Sequence, residues 1–320
     1  MLDLEGRRVL VTGAAGCVGA NLVRRLLEMR SEVHVTIRRT SATWRVADVL
    51  SRLHVHWADL TDPDAVESIV TDVQPAALFH CAVARTTDLA TLTNGNLAAT
   101  ANLLKATAAI DNLRFVHLGS SLEYGPSEHA KREDDPLQPI AAFGLTKAAA
   151  TLLAQRSAHG GGRHVVILRL FHVYGPYEAP YRLIPTAIDA ALCDRELALT
   201  QTGFRRDYVY VGDVVDACLR AATVSRATGE IVNIATGTET SNEEIVDLIG
   251  RTTGRPLRVR VGEYQPRETD THRWRADIAK AKSLLDWEPE HTLLDGLRET
   301  IAWTRRTNKM PSVAEVAADG

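Results

Sequence analysis

The sequence predicts an α/β protein: a doubly wound parallel Rossmann sheet with a smaller mixed α/β lobe in its C-terminal half. Three observations carry that prediction. Short β-branched runs alternate with helical patterns through the first half of the chain, as the crossovers of a parallel sheet require. The first run leads through a glycine-rich turn into the first helix. After Leu170 the alternation gives way to short strands, and prolines at 176, 180 and 185 mark a loop-rich stretch.

The elements follow in order. Arg7–Thr12 reads as the first strand, Val18–Met29 as a helix, and Glu32–Ile37 and Leu53–Trp57 as strands. Pro63–Thr71 is a helix, Ala76–His80 a strand, and Asn96–Ala109 an Ala/Leu-rich helix. Leu113–Leu118 is a strand, Ala141–Ala158 a helix and His164–Leu170 a strand. Right-handed crossovers between these strands give the doubly wound order. Beyond them come a helix near Thr186–Cys193, strands around Leu197–Thr200 and Asp207–Tyr210, a helix over Gly212–Thr223 and a strand over Glu230–Ile234. Ser241–Gly250 is a helix that Ser241 and Glu244 would close with a capping box. Leu257–Val261 and two final helices complete the count, and the tail 307–320 lacks periodicity and is expected to fray.

Composition bounds the function. A chain of 320 residues holds two domains, or one large unit with an added lobe. With 45% hydrophobic and 24% charged residues it is neither disordered, collagen-like nor a small disulfide scaffold. A formal charge of -3 gives no reason to expect a nucleic-acid partner. No window approaches the roughly 18 apolar residues of a membrane span. The opening MLDLEGRRVLVTG reads as a strand, not a signal peptide. Cys17, Cys81, Cys193 and Cys218 are scattered, so no zinc site or redox dithiol is expected, and the cytoplasm is the expected compartment.

The strongest local motif is the turn Gly13-Ala-Ala-Gly16-Cys17-Val18-Gly19. Gly13 permits a tight turn, Gly16 a close backbone approach to a pyrophosphate, and Gly19 close packing of helix on strand. The helix start that follows offers N–H donors and partial positive charge. About 20 residues past such a turn an NAD-binding unit normally carries an acid for the ribose hydroxyl. Here Ile37 is followed by Arg38, Arg39, Thr40 and Ser41. Arginines suit a ribose 2′-phosphate, so NADP(H) is expected, against the plainer alternative of a solvated basic turn. Asp59 and Leu60 could reach the adenine, or the acids there could cap the helix after Pro63.

These motifs occur in order with His80-Cys-Ala, Asn96, Ser120-x3-Tyr124-Gly125, Lys147, Arg169-Leu-Phe-His-Val-Tyr-Gly-Pro176 and Arg206-Asp-Tyr-Val-Tyr-Val-Gly-Asp213. Together they resemble the extended short-chain dehydrogenase/reductases, in the epimerase/dehydratase branch acting on nucleotide sugars. The resemblance covers the chain up to its tail. It implies that 1–170 with about 205–235 bind the dinucleotide, that about 171–204 and 236–306 bind an NDP-sugar, and that the protein is a homodimer paired through the helix holding Phe143 and the helix before it. It also implies a catalytic Ser or Thr, Tyr and Lys. Ser120 and Lys147 match, with Lys147 also on the cofactor ribose, but Phe143 stands at the Tyr position.

Phe143 has no proton to give, and a positioned proton donor contributes typically 10²–10⁴-fold. Three readings stay open: a Tyr→Phe substitution introduced to trap substrate; another acid/base among Tyr124, Glu123, His172 and Ser120; or a protein that binds without turnover. The acid pair that the family's dehydratases carry after the Ser/Thr is Ser121-Leu122 here, which argues against a 4,6-dehydratase. The resemblance implies substrate contacts from Ser121, Glu123, His172, Tyr174, Arg206 and Arg267. Asp213 and Asp277 read as helix caps, and Trp274 as either pocket lining or core. The expected reaction is reduction of an NDP-4-keto-6-deoxy sugar, with a 4-epimerase or 4,6-dehydratase of the same family, or a silent NADP/NDP-sugar binding protein, as the alternatives.

Overall fold

The computed structural model describes residues 3–159, 163–266 and 270–307. Six strands and their helices form in the expected order: β1 (Arg8–Thr12), α1 (Cys17–Glu28), β2 (Glu32–Ile37), β3 (His54–Trp57), α2 (Pro63–Val73), β4 (Ala77–His80), α3 (Leu89–Leu92), α4 (Ala99–Ala106), β5 (Arg114–Ser120), α5 (Ala142–His159) and β6 (His164–Leu170). The remainder comprises β7 (His172–Tyr174), α6 (Leu183–Leu192), β8 (Leu197–Leu199), β9 (Arg205–Arg206), β10 (Tyr208–Tyr210), α7 (Val211–Thr223), β11 (Ile231–Ile234), β12 (Thr240–Ser241), α8 (Asn242–Thr253), β13 (Val259–Val261), α9 (Ala279–Leu285) and α10 (Leu293–Thr307).

The central sheet has seven parallel strands in the order β11-β6-β5-β4-β1-β2-β3. The order reverses between β1 and β4, and in open α/β sheets ligands bind outside the strands' carboxyl ends at such a switch point. Side chains alternate across it with the period of two that strands impose. Val9 and Val11 enter one apolar cluster with Leu22, Leu26 and Val214, while Leu10 enters the opposite one with Val66, Val70 and Phe115. A third cluster joins α6, α8 and α10 through Ile184, Ile188, Ile245, Ile249, Leu297 and Ile301. Among the described residues no helix is long and apolar enough to cross a membrane.

Three local differences from the sequence reading matter. The single helix expected over 96–109 is instead a π-helical turn over Thr93–Ala98 followed by α4, with the short α3 leading into the turn. The wide turn carries Asn96, whose Oδ1 accepts from the Ala84 N–H at 2.9 Å and whose Nδ2 donates to the Thr146 hydroxyl at 3.0 Å. The loop expected after Leu170 contains β7, which pairs in parallel with β10. The capping box of α8 forms as read: the Ser241 hydroxyl accepts from the Glu244 N–H, and the Glu244 carboxylate from the Ser241 N–H. Asp213 does not cap its own helix. Its carboxylate accepts from the Glu290 and His291 N–H groups and pairs with the His291 ring, pinning the approach to α10.

Candidate functional site

At the carboxyl end of β1, Gly13 has φ +69, and a Cβ there would lie 2.5 Å from the Ala82 nitrogen. Only glycine fits that conformation and that clearance. A Cβ on Gly19 would sit 2.9 Å from the Ala14 Cα, so helix and strand meet backbone to backbone. The N-cap of α1 is Gly16, with no side-chain cap and no acid in the first turn. The N–H groups at the start of the helix, from Cys17 onward, are therefore open to an anion, which fits a dinucleotide pyrophosphate. Cys17 Sγ leans on the Pro176 carbonyl at 3.6 Å, and burial pushes its thiol up to about 12.

Arg38 and Arg39 emerge exposed from the carboxyl end of β2, and neither guanidinium has an ion-pair partner among the described residues. Arg45 braces this edge of the cleft by donating to the Ala15 and Tyr177 carbonyls. Asp59 is taken up in its own turn, accepting from the Thr61 N–H and hydroxyl, while Asp62 caps α2. Leu60 is buried against α2 rather than open to the cleft, a correction to the reading that placed it on adenine.

At the carboxyl end of β5, Ser120 opens a short 3₁₀ turn, its hydroxyl accepting from the Leu122 N–H. Glu123 is fully buried. Its Oε1 accepts from the Ser120 N–H at 2.7 Å and the Thr151 hydroxyl at 3.0 Å, and its Oε2 from Arg169 Nε at 2.8 Å. That corrects its assignment as a substrate contact or spare acid: both oxygens are spent inside the protein. Tyr124 is likewise buried, its hydroxyl donating to Asn233 Oδ1 at 2.7 Å, and burial raises its pKa. Ser121 is buried and accepts from the Trp274 indole at 2.9 Å, which settles Trp274 as core and removes Ser121 from the substrate surface.

The first turns of α5 carry Phe143, half-buried, and Lys147, at i and i+4 on one face. Lys147 Nζ donates to the Leu118 carbonyl at 2.5 Å, and burial brings its pKa down to about 8. Behind it, His80 is buried between the hydroxyls of Thr12 (2.7 Å) and Thr100 (3.0 Å), and burial lowers it to about 3. The Arg85 guanidinium lies 5.3 Å from the centre of the Phe143 ring.

On the opposite wall His172 is half-buried, its ring edge-on to Tyr208 at 5.5 Å. Tyr174 is buried and donates to the Leu293 carbonyl at 3.1 Å, so it is a core residue and not a substrate contact. Arg206 holds Asp270 at 2.8 Å and donates to the Thr271 carbonyl. Arg267 lies outside the described residues. The residue that sequence reasoning missed is Glu178. It is buried, its Oε1 bonds Arg182 Nε at 2.9 Å, and its Oε2 has no hydrogen-bond partner. Burial pushes this carboxyl up to about 7, and Arg182, Arg85 and Cys17 are its charged or titratable neighbours. No motif marks it in Tyr177-Glu-Ala-Pro180; folding sets it beside Cys17, Arg85 and Arg182.

The carboxyl ends of β1 and β5 thus face an open helix N-terminus, a buried lysine and a half-buried phenylalanine. Residues 9–235 match the model of the NAD dependent epimerase/dehydratase family. The chain belongs to that family. Among curated family relatives, the dTDP-glucose 4,6-dehydratase of Streptomyces niveus is 30% identical over 316 residues, covering 93% of each chain. The dTDP-6-deoxy-L-talose 4-dehydrogenase (NAD(P)(+)) of Kitasatospora kifunensis is 29% identical over 321 residues, covering 94% of this chain and 96% of that one. Among solved structures, MoeE5 in complex with UDP-glucose and NAD superposes with a TM-score of 0.83 at 29% identity, covering 94% of this chain and 99% of that one. The family is thus the one whose motifs the sequence carries.

Proposed function

We propose that this chain is an NADPH-dependent 4-ketoreductase of an NDP-4-keto-6-deoxy sugar. The observation that carries the cofactor reading is the end of β2, where Arg38 and Arg39 stand exposed in place of a ribose-binding acid. The missing acid pair at Ser121-Leu122 favours reduction over dehydration. The similarity to a 4-dehydrogenase described for NAD(P)(+) is in keeping with both points.

NADPH, when bound, supplies hydride to the carbonyl carbon. The first turn of α1 would hold its pyrophosphate, Arg38 and Arg39 its 2′-phosphate, and Lys147 its nicotinamide ribose. His172, Arg206 and Arg267 are the proposed contacts to the NDP-sugar. In place of the absent tyrosine hydroxyl, the Glu178 carboxyl gives its proton to the sugar oxygen as the carbonyl becomes an alcohol. Arg182 then steadies the carboxylate left behind. Glu178, though buried, is chosen because one oxygen is unpartnered, its proton is held near neutral pH, and its charged neighbour Arg85 lies over the Phe143 ring. We also propose a homodimer paired through α5 and the helix before it, since Leu145, Leu152 and Leu153 leave an apolar face on α5 exposed.

The test is NADPH consumption with NDP-4-keto-6-deoxy sugars. Stoichiometric oxidation of NADPH, lost in Glu178→Gln and restored when Phe143→Tyr is added to it, is the expected result. Interconversion of sugars without net consumption would replace this reading with a 4-epimerase.

A further inference from the structure

Away from the cleft, at the sheet edge formed by β3, three histidines gather on one face. His54 and His56 are two apart on β3, so both side chains leave the strand on the same side. On the neighbouring strand His34 is the register partner of His54. The ring centres of His34 and His54 are 4.6 Å apart, and those of His34 and His56 are 5.4 Å apart. His34 Nδ1 faces His56 Nε2 at 3.1 Å, while its other nitrogen, Nε2, is held by Glu32 Oε1 at 3.0 Å. One ligand atom each from Glu32, His34 and His54 can be drawn within 4.8 Å of one another.

From this juxtaposition we infer that His34, His54 and His56 form a binding site for a zinc-class divalent cation, with Glu32 orienting His34. The sequence reading, which expects no metal, is corrected here: the scattered cysteines carry no sign of this site, because the pairing of β2 with β3 creates it. Three imidazoles in a tetrahedral shell at about 2.0–2.1 Å from Zn²⁺ lie a little over 3 Å apart, close to the His34–His56 separation. A carboxylate on the far nitrogen of a ligating imidazole is the usual outer-shell partner, fixing its tautomer and ring angle. His34 is buried, His56 half-buried and His54 exposed, so two ligands are fixed and the third can turn its ring onto the ion. Asp72, on α2, adds negative charge beside His56. The cluster is separate from the cofactor reading, since β2 carries Arg38 onward to the cleft only after the cluster has been passed.

An ion held here would clip the edge strand β3 to β2, and it would bind the folded chain in preference to the unfolded one. The experiment is a titration of the full chain with Zn²⁺, followed by calorimetry and thermal melting, with Co²⁺ as a coloured stand-in. The expected result is one Zn²⁺ per chain, a rise in Tm reversed by EDTA, and a visible d–d band from bound Co²⁺. His54→Gln and His56→Gln should each weaken binding at least about tenfold and remove the band. His54 is exposed, so its variant should melt like the parent in EDTA, which separates lost ligation from lost folding. Absence of binding to the parent chain would overturn the inference, as would equal binding by parent and both variants.

Discussion

Among the described residues two buried glutamates, Glu123 and Glu178, are each paired with an arginine, and they differ in how their oxygens are engaged. Glu123 and Arg169 are 2.8 Å apart, and Glu178 and Arg182 2.9 Å apart. Each oxygen of Glu123 has a partner, from the Ser120 N–H, the Thr151 hydroxyl and Arg169. Glu178 has a partner for one oxygen only. A buried charge with every lone pair engaged serves to fix backbone, here the turn after β5 that presents Ser120. A buried carboxyl with an oxygen to spare keeps its proton to higher pH and can give it away. The same residue types thus make a strut in one place and a proton store in the other.

The comparison breaks most visibly at the strut. Glu123→Ala leaves Arg169 buried and unpaired, at an expected cost of about 3–5 kcal/mol, read as a lowered midpoint in urea unfolding. Glu178→Gln should leave the fold intact yet slow turnover by roughly 10²–10⁴, about 3–5 kcal/mol of barrier. Equal loss of stability in both variants would erase the distinction.

The pH dependence sharpens it. Glu178 is raised in the folded state to about 7 from the ordinary 4.5 of a free glutamate. The folded chain therefore holds a proton that the unfolded chain releases, and the stability this contributes is present below pH ~4.5 and lost as pH rises through 7. Relative to the parent, Glu178→Gln should gain on the order of 2 kcal/mol between pH ~5 and ~8. His80 runs the other way. Lowered to about 3 from 6.5, it supports the fold above pH 6.5 and withdraws that support as the medium is acidified through 3. An acid melt of His80→Asn should be shallower over that window. The smallest expected effect is at the cofactor edge: Arg38→Ala should weaken NADPH by about tenfold and NADH hardly at all, measured by fluorescence titration, because only the phosphate needs the guanidinium.

The fold was largely legible. Val9, Val11, Val33 and Val35 announce buried parallel strands, and the strands of the sheet fall within one or two residues of the ranges read from pattern. The glycine turn was legible for the same reason, since its spacing alone dictates a backbone path. What resisted reading was which polar side chains the interior would consume. Glu123, Tyr124, Ser121 and Tyr174 stand in motif positions next to the site, but each finds a partner distant in sequence, as Tyr124 does in Asn233. Glu178 and the histidines of β2 and β3 are the converse: no local pattern marks them, and tertiary pairing makes them neighbours. The helix carrying Asn96 was misread because periodicity cannot signal a π turn.

The strand order carries a consequence for how the chain is made. The sheet grows outward from β1 in two directions, toward β3 with segments complete by Trp57, and toward β11 with segments that end only at Ile234. During synthesis the first half-sheet can close while the rest is still being translated. The second half leaves β6 as a bare edge until β11 arrives, because β11 is separated from it by sixty residues that include β7–β10 and their helices. A ribosome stalled in that interval would present a paired but unfinished sheet whose open margin is a template for other chains. Chaperone demand should therefore concentrate on nascent chains between those two strands.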